Sequence, residues 1–139
     1  MLTALSQLSP CWRSEPWPLM STLDLGVLPS AVPCARHYVA YMLSEWSHLG
    51  RLAHDAQLIV SELVTNAVCH GHGPVAMRLR ANSESLLIEV QDALPAPPEP
   101  WPHAVDAECG HGLDIVSCLS RNWGYYLECC GKTVWALIS

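Results

Sequence analysis

At 139 residues, half of them hydrophobic and only 14% charged, the chain is of single-domain length and can bury a sizeable core. Its formal charge of −6, with scattered arginines and Lys132 as the only lysine, excludes nucleic acid as a main partner, since phosphate binding needs clustered positive charge. No stretch is long and apolar enough to span a membrane and the start has no signal-peptide pattern. Seven cysteines without a CxxC pair then suggest free thiols in a reducing cytoplasm, not a zinc site.

In chain order, residues 1–17 are short of pattern and carry Pro and Ser, so they are expected to form a mobile tail ahead of one domain over 18–139. Leu19 to Leu25 alternates as an edge strand does, and Gly26 to Pro33 reads as a loop. Ala35, Val39, Met42, Leu43 and Trp46 follow helical spacing over 34–49, with Gly50 as the stop. A second helix is predicted over 51–70, ended by Gly71 and the Gly73–Pro74 turn. Val75 to Ala81 and Leu86 to Val90 alternate with period two around a polar turn, the pattern of a β-hairpin.

Residues 93–102 hold five prolines and can be neither helix nor central strand, so a loop is expected to run to about Cys109. Gly110 to Gly112 opens a third helix that buries Leu113, Val116 and Leu119, and a last hairpin turns at Cys130–Gly131. This order predicts an α+β fold, a two-layer α/β sandwich with helices on one face of a mixed, mainly antiparallel sheet.

The second helix carries the densest chemistry. Glu62, Asn66 and His70 recur at i, i+4 and i+8 and form one polar stripe, while Ile59, Val60, Leu63, Val64, Ala67 and Val68 form the apolar side. A carboxylate, an amide and an imidazole in line, backed by core, are one wall of a site or a plain solvated face. Two later segments, VQDALP and CGHGLDIV, favour the site: they place Asp92 just past a strand and a GxG at a helix start.

These segments, in this order, resemble the ATP-binding domain shared by gyrase, histidine kinases and mismatch-repair ATPases, and most of all its small anti-sigma-factor serine kinase branch. SELVTNAVCHG is similar to that family's E-x-x-x-N-A-x-x-H-G helix motif, Asp92 to its strand-end Asp, GHGLDIV to its G-x-G-L motif and GKTVWALI to its Thr-bearing last strand. The resemblance covers roughly 19–139 and implies a Bergerat-type fold that binds ATP with Mg²⁺. Asn66 would hold the Mg²⁺, a hard ion that keeps several waters and takes few protein oxygens. Glu62 would serve as base toward an attacking hydroxyl, or else as a partner to the Mg²⁺ waters.

His70 would bond the backbone at the helix end. Asp92 would accept the exocyclic amine of adenine and so reject guanine, whose six-position is an acceptor; a turn-capping Asp is the plainer alternative. Thr133 would bond the same edge, and Gly110, His111, Gly112 and Leu113 would bring free N–H groups to the phosphates. The implied partners are a sigma factor or an anti-sigma antagonist protein, with a homodimer left open.

Two departures bear on catalysis. The family's D-x-G-x-G is here Asp92-Ala93-Leu94-Pro95-Ala96, stiff where glycine is permissive. No Lys or Arg occurs over 93–111, so that loop brings no cation to a γ-phosphate, leaving His103 or His111 as partial substitutes. Phosphotransfer and a nucleotide-holding module that acts by protein contact are therefore both carried forward.

Overall fold

The computed structural model describes residues 11–98 and 112–139. Five strands form one sheet in the order β1-β2-β3-β5-β4, built from β1 (Leu19–Gly26), β2 (Val75–Ala81), β3 (Leu86–Asp92), β4 (Asn122–Glu128) and β5 (Gly131–Ile138). Among the described residues three α-helices, α1 (Ala31–Glu45), α2 (Ala53–His70) and α3 (Gly112–Leu119), complete the α+β sandwich. All four strand pairs are antiparallel. The mixed character expected of the sheet does not arise: β3 and β4 run the same way, but β5 lies between them and opposes both.

The helices differ from expectation mainly at their ends. α1 starts at Ala31, three residues early, because Pro33 is accommodated in the first turn, where its missing N–H has no intrahelical acceptor anyway. Gly50 does not stop a helix; it lies inside a 3₁₀ turn, Ser47–Leu52, that leads straight into α2. That turn buries Leu49 and Leu52, which fasten the α1–α2 corner to the core.

α2 buries Ala56, Ile59, Val60, Leu63, Val64 and Ala67 along one side, close to the stripe its periodicity predicts, with Val68 only partly buried at its edge. These residues meet Met77 and Leu79 of β2, Ile88 and Val90 of β3, and Val134 and Ala136 of β5 in one continuous core. Leu113 and Val116 of α3, which packs against α2, join that core.

The reverse face of the sheet is not bare. Trp12 is 2% exposed and packs with Leu87 of β3 and Trp135 of β5, with Trp17, Tyr126 and Leu137 around them. The Trp12 and Trp135 rings meet edge-on at 5.6 Å, and the Arg80 guanidinium lies over the Trp12 ring at 5.6 Å. This corrects the expected mobile tail from residue 11 onward. Cys11–Ser14 forms a 3₁₀ turn, held further by the Trp17 indole N–H donating to the Trp12 carbonyl at 3.0 Å. The physical reason is the second apolar face on β3 and β5, which Trp12, with Trp17 beside it, removes from water.

Candidate functional site

Glu62 and Asn66 sit on successive turns of α2, on the border of its buried stripe, and both are partly exposed. Neither side chain has a hydrogen-bond or ion-pair partner among the described residues, so the carboxylate and the carboxamide are free to take a ligand. Burial raises the Glu62 carboxyl above the ordinary glutamate range, toward a proton affinity useful in a base. His70 is exposed in the last turn of α2.

The raised Glu62 value fixes the sign of a pH effect. Its anionic form is disfavoured by the fold, so a penalty is present above the folded-state pKa and is relieved as pH falls through it. Glu62→Gln is therefore expected to melt higher than the wild type at neutral pH, with the gain shrinking toward about pH 4. Thermal unfolding of both proteins across that range checks it; a gain that grows in acid has the wrong sign.

α2 ends against Asp92. The Gly71 N–H closes the helix on the Ala67 carbonyl at 2.9 Å, and the Ala93 N–H donates to the His72 carbonyl at 2.7 Å, joining the exit of β3 to the exit of α2. A Cβ at Gly71 would lie 2.6 Å from both Cγ and Oδ2 of Asp92, so only glycine lets the helix end close on that carboxylate. Asp92 is 3% exposed. Its Oδ1 accepts the Leu94 N–H at 2.8 Å, the side-chain turn that the alternative reading foresees.

Oδ2 accepts from Lys132 Nζ at 2.7 Å, an ion pair between two buried groups. Sequence reasoning missed Lys132 as part of the site. Two signals for it were present: it is the only lysine, and it stands at even spacing from Val134, Ala136 and Ile138, whose side chains enter the core under the helices. Across the β3–β5 ladder, Lys132 is opposite Asp92.

The same alternation corrects Thr133. It pairs with Gln91 and Tyr126 and points to the reverse face, away from Asp92. There it lines a trough of about 210 Å³ with Asp24, Arg78, Gln91, Tyr126 and Glu128. That volume is below the ~300 Å³ at which small-molecule pockets begin, and the trough lies across the sheet from Asn66. In its wall the buried Glu89 pairs with Arg80 Nε at 2.7 Å and accepts a hydrogen bond from the Tyr126 hydroxyl at 3.2 Å. Burial first, then the Glu89 charge, raises the Tyr126 phenol above its ordinary value.

α3 packs against α2 through Leu113 and Val116. Leu113 is 4% exposed, so its side chain belongs to the core and anchors the start of α3 there. Gly112 is the first residue of α3, while Gly110, His111 and the proline-rich loop from residue 99 lie outside the described residues. The structure thus sets Glu62 and Asn66 on successive turns of α2, closes the end of that helix on Asp92, packs α3 against the same helix, and turns Thr133 to the other face of the sheet. Among the described residues no group of three or more His, Cys, Asp and Glu side chains gathers as a metal site, and no helix is long and apolar enough to cross a membrane.

The sequence model of the histidine kinase-like ATPase domain matches residues 26–137. A comparison with curated proteins returned no match.

Proposed function

Because the chain belongs to the histidine kinase-like ATPase domain family, an ATP-binding fold, we propose that it is a regulatory protein that binds Mg·ATP between α2 and α3 and passes the γ-phosphoryl group to a serine or threonine of a partner protein. The observation that carries this reading is that Glu62 and Asn66, without side-chain partners among the described residues, stand on successive turns of α2, the helix whose C-terminal end closes on the buried Asp92 carboxylate.

The donor set fits the ligand. Asn66 offers a neutral oxygen without a protein partner among the described residues, as suits an ion that keeps most of its waters. Asp92 offers a buried acceptor, and the start of α3 offers backbone N–H groups. Bound Mg²⁺ would neutralise charge on the phosphates. Glu62, with its raised proton affinity, would take the proton of the attacking hydroxyl. The partner class, an anti-sigma antagonist with a sigma factor as the sequestered target, follows from the motif resemblance, as does a cytoplasmic location.

A second reading, a nucleotide-holding module without chemistry, is favoured by the placement of cations. Lys132 is tied to Asp92, Arg80 lies on the reverse face with Glu89, and residues 93–111 contain no Lys or Arg. The γ-phosphate charge thus has no evident protein cation from these sources.

Two variants separate the readings. Asn66→Ala is expected to weaken Mg·ATP binding at least tenfold in titration calorimetry, since it removes an oxygen ligand from the ion (roughly 1.4 kcal/mol or more). Glu62→Gln is expected to keep ATP affinity within about threefold while lowering phosphoserine formation by about 10² or more. Labelled ATP incubated with candidate antagonist proteins reads the transfer. Unchanged transfer by Glu62→Gln removes the base role, and no transfer by the wild type leaves the second reading.

A further inference from the structure

The Asp92–Lys132 pair changes what the purine end of this site can read, an inference that rests on the nucleotide-binding reading above. A lone buried carboxylate offers only acceptors. It suits the exocyclic amine of adenine, and it sets oxygen against oxygen at the six-oxo group of guanine. In this chain the carboxylate is not alone. Lys132 Nζ stands 2.7 Å from Oδ2 on the same face of the sheet, and both residues are 3% exposed.

The neighbours hold the pair in place. Lys132 and Asp92 are register partners on β5 and β3. The residue before Lys132 is Gly131, where a Cβ would fall 2.0 Å from the Asp92 carbonyl oxygen, so the two strands are pressed together at this point. On the other side, Gly71 closes on Cγ and Oδ2 of the carboxylate. Leu94 N–H occupies Oδ1. Among the described residues Asp92 is the one hydrogen-bond partner of the ammonium, which has three N–H donors. A carboxylate has about four lone-pair sites, of which the described residues use two.

We propose that Lys132 is a base-reading residue, and that the site accepts guanine as well as adenine nucleotides. Adenine presents a donor, its amine, beside an acceptor, a ring nitrogen. Guanine presents an acceptor, its six-oxo group, beside a donor, a ring N–H. The side-by-side carboxylate and ammonium complement both edges, in opposite senses. Asp92 takes the amine of adenine or the ring N–H of guanine, and Lys132 gives to the ring nitrogen of the first or to the oxo group of the second. The penalty that a solitary Asp92 would impose on guanine is thereby lifted.

The test is calorimetric titration of the full chain and of Lys132→Met with Mg·ATP and Mg·GTP, with far-UV circular dichroism as the folding control. Wild-type protein is expected to bind GTP within about tenfold of ATP, and Lys132→Met to raise the ATP-over-GTP preference at least tenfold, mainly by loss of GTP. Lys132→Arg, which keeps the charge and the donors, is expected to leave the preference within about threefold of wild type. A wild type that binds ATP and prefers it to GTP by more than about a hundredfold overturns the proposal and leaves the ATP site standing. So does a Lys132→Met preference equal to that of wild type. Should Lys132→Met fail to fold, the wild-type ratio decides. Binding of neither nucleotide overturns the site reading and this inference together.

Discussion

Asp92→Ala is expected to destabilise the domain by about 3–5 kcal/mol, because it leaves the Lys132 ammonium buried without a counter-charge. The cost comes less from the lost attraction than from the charge left behind. In water the ammonium would be solvated on all sides; here it is 3% exposed with Asp92 as its partner. The double variant Asp92→Ala/Lys132→Met removes both charges and is expected to recover most of the loss, since replacing a buried pair with apolar groups is often close to neutral. Urea unfolding measures both, with a shift in midpoint at constant slope marking a change in stability alone. An Asp92→Ala midpoint within experimental error of wild type would show that the ion pair is not formed in solution. The result also governs how nucleotide data are read: lost ATP binding in Asp92→Ala counts against the pocket only at temperatures where that variant is folded.

Trp12→Ala is the second large effect, expected at about 3 kcal/mol or more, near the range for large-to-small core changes. Trp12 packs on Leu87 and Trp135 and is the most deeply buried aromatic residue of that cluster, with Trp17, Tyr126 and Leu137 only partly buried around it. Its indole N–H is buried without a hydrogen-bond partner among the described residues, as is that of Trp135. A buried unpaired donor is unfavourable, so part of the tryptophan's packing contribution is already offset. Trp12→Phe, which keeps the ring and drops the donor, is therefore expected to stay within about 1 kcal/mol of wild type. Thermal or urea unfolding of the pair separates packing from hydrogen bonding. Equal losses in both variants would point to the indole N–H having a partner after all. Deleting residues 1–17 removes the same plug and should lower the midpoint at least as much as Trp12→Ala, an outcome a mobile tail would not produce.

Helix and strand positions were readable along the chain because each is a local matter. The α2 stripe at 3.6-residue spacing and the alternation of β2 are set by the residues themselves, and both stand where the periodicity puts them. So are the places of Glu62, Asn66 and Asp92, each pinned to an element whose type its neighbours specify. Helix ends were less legible, as Pro33 and Gly50 show: each permits more than one local geometry, and packing of Leu49 and Leu52 chose between them.

The faces of β5 were a different problem. Val134 to Ile138 is apolar at every position, so its composition does not say which residues look toward the helices. That uniformity has a cause visible only in three dimensions: Trp12, more than a hundred residues away in sequence, covers the reverse side and makes apolar residues welcome on both. Register with β3 then turned Lys132 toward Asp92 and Thr133 away from it. What the amino-acid order determined by itself was the set of elements and the motifs they carry. Which side chains share the site was decided by strand register and by burial on both faces, because pairing across 40 residues depends on where the whole chain closes and not on any local preference.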